Sequence, residues 1–135
     1  MSLQNRRLLR DNALTVTKAL PAANANSNSG TLDLGVGPFR PEELDLEIAI
    51  PALANLVDAH AVTIKLQESA DDITYTDVDP LVETTVTGAG GVGCAAKTVT
   101  LRLPPGVLRY IQFNAAVANG GGDNTVSSVV YSVLV

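Results

Sequence analysis

The sequence has no tryptophan, one cysteine, one histidine and only five aromatic residues among its 135. Each scarcity closes off a class of protein. A single cysteine, Cys94, forms no intrachain disulfide. A platform for stacking sugars or bases needs exposed rings, and few are present. No apolar run approaches the roughly 20 residues of a membrane-spanning helix. The opening "MSLQNRRLLRDN" is charged and lacks the apolar core of a secretory signal. The expected setting is therefore a cytoplasm, or a particle assembled in one. No internal repeat stands out.

What remains is a chain rich in Val, Leu, Ile, Ala and Thr, a mixture that favours packed strands. Its length suits one domain that buries about two thirds of its unfolded surface without a metal or disulfide staple. The net charge of −5 is unevenly placed. Arg6, Arg7, Arg10 and Lys18 lie in the first eighteen residues, where Asp11 is the only acid. From residue 19 onward there are five basic and thirteen acidic residues, a net of −8. Such a body is repelled by nucleic acid. Two readings of the basic N-terminal strip stand: a frayed, solvated terminus, or an arm that docks on an acidic neighbour.

Alternation with a period of two dominates the rest. In "LDLEIAI", Leu44, Leu46, Ile48 and Ile50 share one face, and Asp45, Glu47 and Ala49 the other. "VTIKLQES" repeats this with Val62, Ile64 and Leu66 inward, and "KTVTLRL" with Val99, Leu101 and Leu103. Pro104, Pro105 and Gly106 make a corner that stops a ladder. Beyond it Ile111, Phe113, Ala115 and Val117 share a face. "ALTVTK", "TLDLG", "ITYTDV" and "VETTVTG" read as further short strands. "TVSSVVYSVLV" is apolar on both faces, as for a central or subunit-covered strand. Residues 21–30 read as a polar loop, and "PALANLVDAHA" fits a helical turn or an extended loop. The whole predicts an all-β, single-domain, jelly-roll-like β-sandwich of about eight strands. An N-terminal arm and polar loop would occupy residues 1–30, and the body residues 31–135.

Candidate chemistry is sparse. Acids cluster as Glu68, Asp71, Asp72, Asp77, Asp79 and Glu83. Alternating carboxylates can supply calcium oxygens or a glycosidase pair, but the EF-hand pattern is absent. "GAGGVG" looks like a phosphate cradle, yet a strand-like "CAAKTVTLRL" follows where a nucleotide motif needs a helix. Cys94 and His60 would have to meet to act as nucleophile and base, and Cys94 reads as a small apolar filler. No GxSxG elbow occurs. The chain is thus expected not to be an enzyme, with no catalytic residue, no cofactor and no metal. Arg109 and Tyr110, beside Gln112 and Asn114, would form a polar, planar strand face suited to protein contact, or an ordinary solvated one.

"LQNRRLLRDNALTVT" followed by "TLDLG" resembles the start of the jelly-roll capsid cement (decoration) proteins of short-tailed bacteriophages. "VTIKLQESADDITYTDV", a glycine loop, "LRLPPGVLRYIQFNAAV" and the terminal "VVYSVLV" continue the likeness from Leu3 to Val135. Its fixed words are "DLG" at Asp33–Gly35, "LP" at Leu103–Pro104 and "RYI" at Arg109–Ile111. The resemblance implies a virion protein, assembled in the host cytoplasm, on the outside of the expanded capsid. Its partners would be the major capsid protein and itself, as a homotrimer, with no nucleic acid and no membrane. Contact residues expected on this reading are Arg6, Arg7, Arg10, Arg109, Tyr110 and Tyr131. The competing expectation is a ligand- or glycan-binding sandwich, such as a phage receptor-binding domain, using the Glu68–Glu83 acids with calcium.

Overall fold

A computed structural model describes residues 10–34, 44–104 and 106–134, with side chains from Leu14 onward within them. Ten strands run in chain order: β1 (Arg10–Ala19), β2 (Ala25–Asn28), β3 (Leu32–Asp33), β4 (Asp45–Ile50) and β5 (Ala61–Ser69). They continue as β6 (Thr76–Asp77), β7 (Glu83–Thr87), β8 (Lys97–Arg102), β9 (Tyr110–Val117) and β10 (Ser128–Leu134). The first sheet has the order β1-β10-β4-β8 and the second β2-β9-β5-β6. All pairings between these strands are antiparallel.

Two pairs of short strands each share one partner edge. β2 pairs with Asn114–Val117 of β9, and β3 with its Tyr110 and Ile111. Likewise β7 pairs with Ala61–Lys65 of β5, and β6 with its Gln67 and Glu68. Each sheet therefore has four strand positions, and the chain passes from one sheet to the other at every change of position except that from β5 to the β6–β7 position, which stays in the second sheet. This eight-position, double-Greek-key sandwich is the jelly-roll connectivity.

The two inner faces make one core. β4 contributes Leu46, Ile48 and Ile50; β5 Val62, Ile64 and Leu66; β9 Ile111, Phe113, Ala115 and Val117; β10 Val129, Tyr131 and Val133. The alternation visible in the sequence is this inward set. Each buried large side chain contributes about 1.5–3 kcal/mol. At the centre the rings of Phe113 and Tyr131 stack across the two sheets, 4.6 Å apart and 14° from parallel.

Tyr131 is 1% exposed, so it is a core residue and not a contact residue. Its strand explains why: β10 lies between β1 and β4, as its two apolar faces imply, and Tyr131 sits on the face turned to the other sheet. The N-terminal boundary also shifts. β1 is hydrogen-bonded to β10 with Thr15–Ala19 opposite Ser132–Ser128, so the body includes residues from Arg10. Residues 25–28, inside the stretch read as a loop, form β2 on the edge of the second sheet. Asn and Ser are poor strand formers, and the free edge of β9 overrides that preference.

The corner after β8 is a sheet-to-sheet crossing. The chain leaves the first sheet at Arg102, and the Val107 N–H donates to the Pro104 carbonyl at 3.2 Å. Tyr110 then opens β9 in the second sheet. "PALANLVDAHA" forms turns tied to the glycine loop by the bridges Leu53–Cys94 and Asp58–Gly88.

Candidate interaction surface

The outer face of the second sheet carries the densest polar structure of the described residues. β9 turns Tyr110, Gln112 and Asn114 outward, because Ile111, Phe113 and Ala115 are turned in. β5 presents Thr63, Lys65 and Gln67 beside them by the same alternation. β2 adds Asn26 and Asn28. These side chains bond to one another. Asn114 Nδ2 donates to Asn26 Oδ1 at 3.1 Å and Asn28 Oδ1 at 2.9 Å. Gln112 Nε2 donates to Gln67 Oε1 at 2.8 Å, and Gln67 Nε2 to Asp77 Oδ1 at 3.0 Å. Lys65 completes the row with an ion pair to Asp77 at 3.1 Å. Gln67 and then Lys65 hold the Asp77 carboxyl below its usual range.

The loop after β5 rises over this face. Ser69 Oγ accepts from the Asp71 and Asp72 N–H groups, while Asp71 Oδ1 accepts from the Ile73 and Thr74 N–H groups. The loop delivers Asp72 and Tyr75 to Thr31 on the far side. The Thr31 and Tyr75 hydroxyls both lie 2.5 Å from Asp72 Oδ1. Those hydroxyls keep the Asp72 carboxyl below its usual range, Thr31 first. Partial burial, and then the bond to Asp72, push Tyr75 up to about 12. Between loop and sheet lies an open cleft of about 530 Å³, lined by Asn26, Asn28, Gln67, Gln112, Asn114 and the Thr31–Asp72–Tyr75 group.

Of the residues singled out in the sequence, Arg109 and Tyr110 lie at the margin of this face. Arg109 forms a two-pronged pair with Asp33, both bonds at 2.8 Å, and its guanidinium lies 4.8 Å from the centre of the Tyr110 ring. Asp33 raises the Arg109 pKa. Arg6 and Arg7 lie outside the described residues. Arg10 is placed by its backbone, opposite Leu134 at the end of β1.

The acids divide among separate structural tasks. Glu68 accepts from the Leu108 N–H at 3.0 Å; Asp71, Asp72 and Asp77 are engaged as above. Among the described residues no group of three His, Cys, Asp or Glu side chains is placed to hold a metal ion, so the calcium arrangement does not form there. Cys94 exchanges two backbone bonds with Leu53 and packs against the core. His60 Nδ1 bonds to the Asp58 carbonyl, 2.9 Å away. The glycine loop already has its anion: the Gly91 N–H donates to both Asp58 carboxylate oxygens, at 2.9 and 3.1 Å.

Asn26 and Asn28 escape sequence reading because they occupy the stretch taken as loop, and Thr31 because its partners lie in a loop about 40 residues away. The signal was the spacing itself: amides two apart in "NSN" and again in "QFN" share a strand face.

No protein-family model matches the chain, and no curated protein sequence does. Solved structures do resemble it. PirA aligns with a TM-score of 0.50 and 9% identity, over 94% of this chain and 99% of that one. The PBSX exported protein XepA aligns with a TM-score of 0.52 and 14% identity, over 88% of this chain. The likeness is one of fold. This chain spans 36% of XepA, about a third of its length.

Proposed function

We propose that the chain is a phage capsid decoration protein that docks on the outer surface of the expanded shell. It would hold neighbouring major capsid protein subunits together, as a homotrimer. The observation that carries this reading is the jelly-roll connectivity, the architecture implied by the cement-protein resemblance that runs from Leu3 to Val135. The acidic body suits an outer surface that must not capture nucleic acid. The bonded side-chain rows of the second sheet suit a rigid clamp, since a prearranged face loses little entropy on docking. Many copies of a modest interface would act together. The basic N-terminal residues, Arg6, Arg7 and Arg10, are the proposed capsid-contacting element, with Arg109 and Tyr110 a second contact.

The role is tested by particle stability. Particles lacking the chain should release their DNA at a lower temperature, and adding the purified protein back should restore the wild-type release temperature. Equal release temperatures with and without it would overturn the proposal.

A further inference from the structure

We propose that the cleft on the outer face of the second sheet is a binding site for a neutral glycan. This inference rests on the cleft's own geometry and does not depend on the decoration reading. Gln112 and Asn114 form its floor and are only 7% and 9% exposed, although they point away from the core. Their burial comes from the polar walls around them. Asn114 spends both Nδ2 protons on Asn26 and Asn28. Among the described residues the Nδ2 groups of Asn26 and Asn28 donate no hydrogen bond, and Asn114 Oδ1 and Gln112 Oε1 accept none. The cleft thus offers fixed donors and acceptors side by side.

That pattern selects the ligand. A sugar hydroxyl both donates and accepts, as an amide row does. Among the lining residues only Asp72 is charged, and two hydroxyls already engage it. Among the described residues no cation lines the cleft to hold a phosphate or carboxylate, and the acidic body disfavours anions. Tyr75 lines the wall through a hydroxyl bonded to Asp72 and Thr31, so the cleft surface is almost wholly polar, which suits a ligand rich in hydroxyls. The volume is that of an ordinary ligand site, and the cleft's open form fits a short stretch of chain lying across it.

The test uses the full chain, labelled with 15N, titrated with maltohexaose, cellohexaose, chitotetraose and mannohexaose to about 10 mM, while the side-chain amide signals are followed. At least one neutral oligosaccharide should give saturable shifts in Asn26, Asn28, Gln112 and Asn114. Asn28→Ala and Tyr75→Ala, both at the rim, should each weaken that binding about tenfold while the backbone spectrum stays folded. Trigalacturonic acid, an anionic oligosaccharide, should bind more weakly than the neutral one. The proposal is overturned if no neutral oligosaccharide shifts these amides, if the shifts map elsewhere, or if the anionic probe binds better.

Discussion

An added Cβ at Gly93 would lie 1.8 Å from the Leu53 carbonyl oxygen, and the φ there is +76°. At Gly91 the φ is +74°, but a Cβ would meet nothing within 4 Å. The pair separates backbone strain from steric clash. Gly91→Ala should cost about 1 kcal/mol, from the left-handed conformation alone. Gly93→Ala should cost roughly 3 kcal/mol or more, because the backbone of the facing loop must also move. Urea midpoints of the two variants decide it, and equal losses would contradict the close approach. In the core, Phe113→Ala should cost about 3–5 kcal/mol, since it empties one half of the inter-sheet ring stack. The ionisable groups set a pH window. Asp71, Asp72, Asp77 and Asp123 have folded pKa values below the ordinary 3.8, so the stability they add is present above that value. It is lost as pH falls through the depressed values. Tyr75, raised from 10.0 to about 12, adds stability that is present below pH 10 and lost as pH rises toward 12. The urea midpoint should therefore be highest between these limits, and Asp72→Asn should flatten the acid limb. An acid limb unchanged in that variant would refute the role given to the Thr31–Asp72–Tyr75 group. Little of this residue-level detail is legible in sequence. That Asp58 serves the Gly91 amide depends on two loops 33 residues apart meeting, which no local pattern encodes.

At the scale of elements, legibility followed burial. β4, and β5 as far as Leu66, bury every second residue against the core, and their alternation is plain in the sequence. β10 was recognisable as central because both its faces are apolar. β2 buries only Ala25 and Ser27 part-way, so no hydrophobic signal exists there, and its strand form comes from pairing with β9. β1 is a similar case: Leu14 and Val16 only partly pack on the core, and the pairing with β10 makes it body instead of arm. This boundary has a consequence for truncation. Removing residues 1–9 should leave the melting temperature of the sandwich nearly unchanged while weakening capsid binding. Removing residues 1–19 deletes β1 and exposes the edge of β10, so it should lower the melting temperature and promote aggregation. Equal melting temperatures for the two truncations would refute β1 as part of the body.

At the scale of the whole molecule, the fold class was readable because strands, corners and glycine turns recur at even spacing, and the jelly-roll order follows from the sheet changes at all corners but that between β5 and β6. The outer-face cleft was not readable, because three separate segments, 26–31, 67–75 and 112–114, build it. The central claim concerns the assembled particle. The most direct measurement is co-sedimentation of the purified protein with the expanded empty capsids it is proposed to decorate, counting copies bound at saturation. The account predicts saturable binding, with a copy number equal to three per threefold or quasi-threefold position. Folded, soluble protein that stays in the supernatant at all concentrations would contradict it.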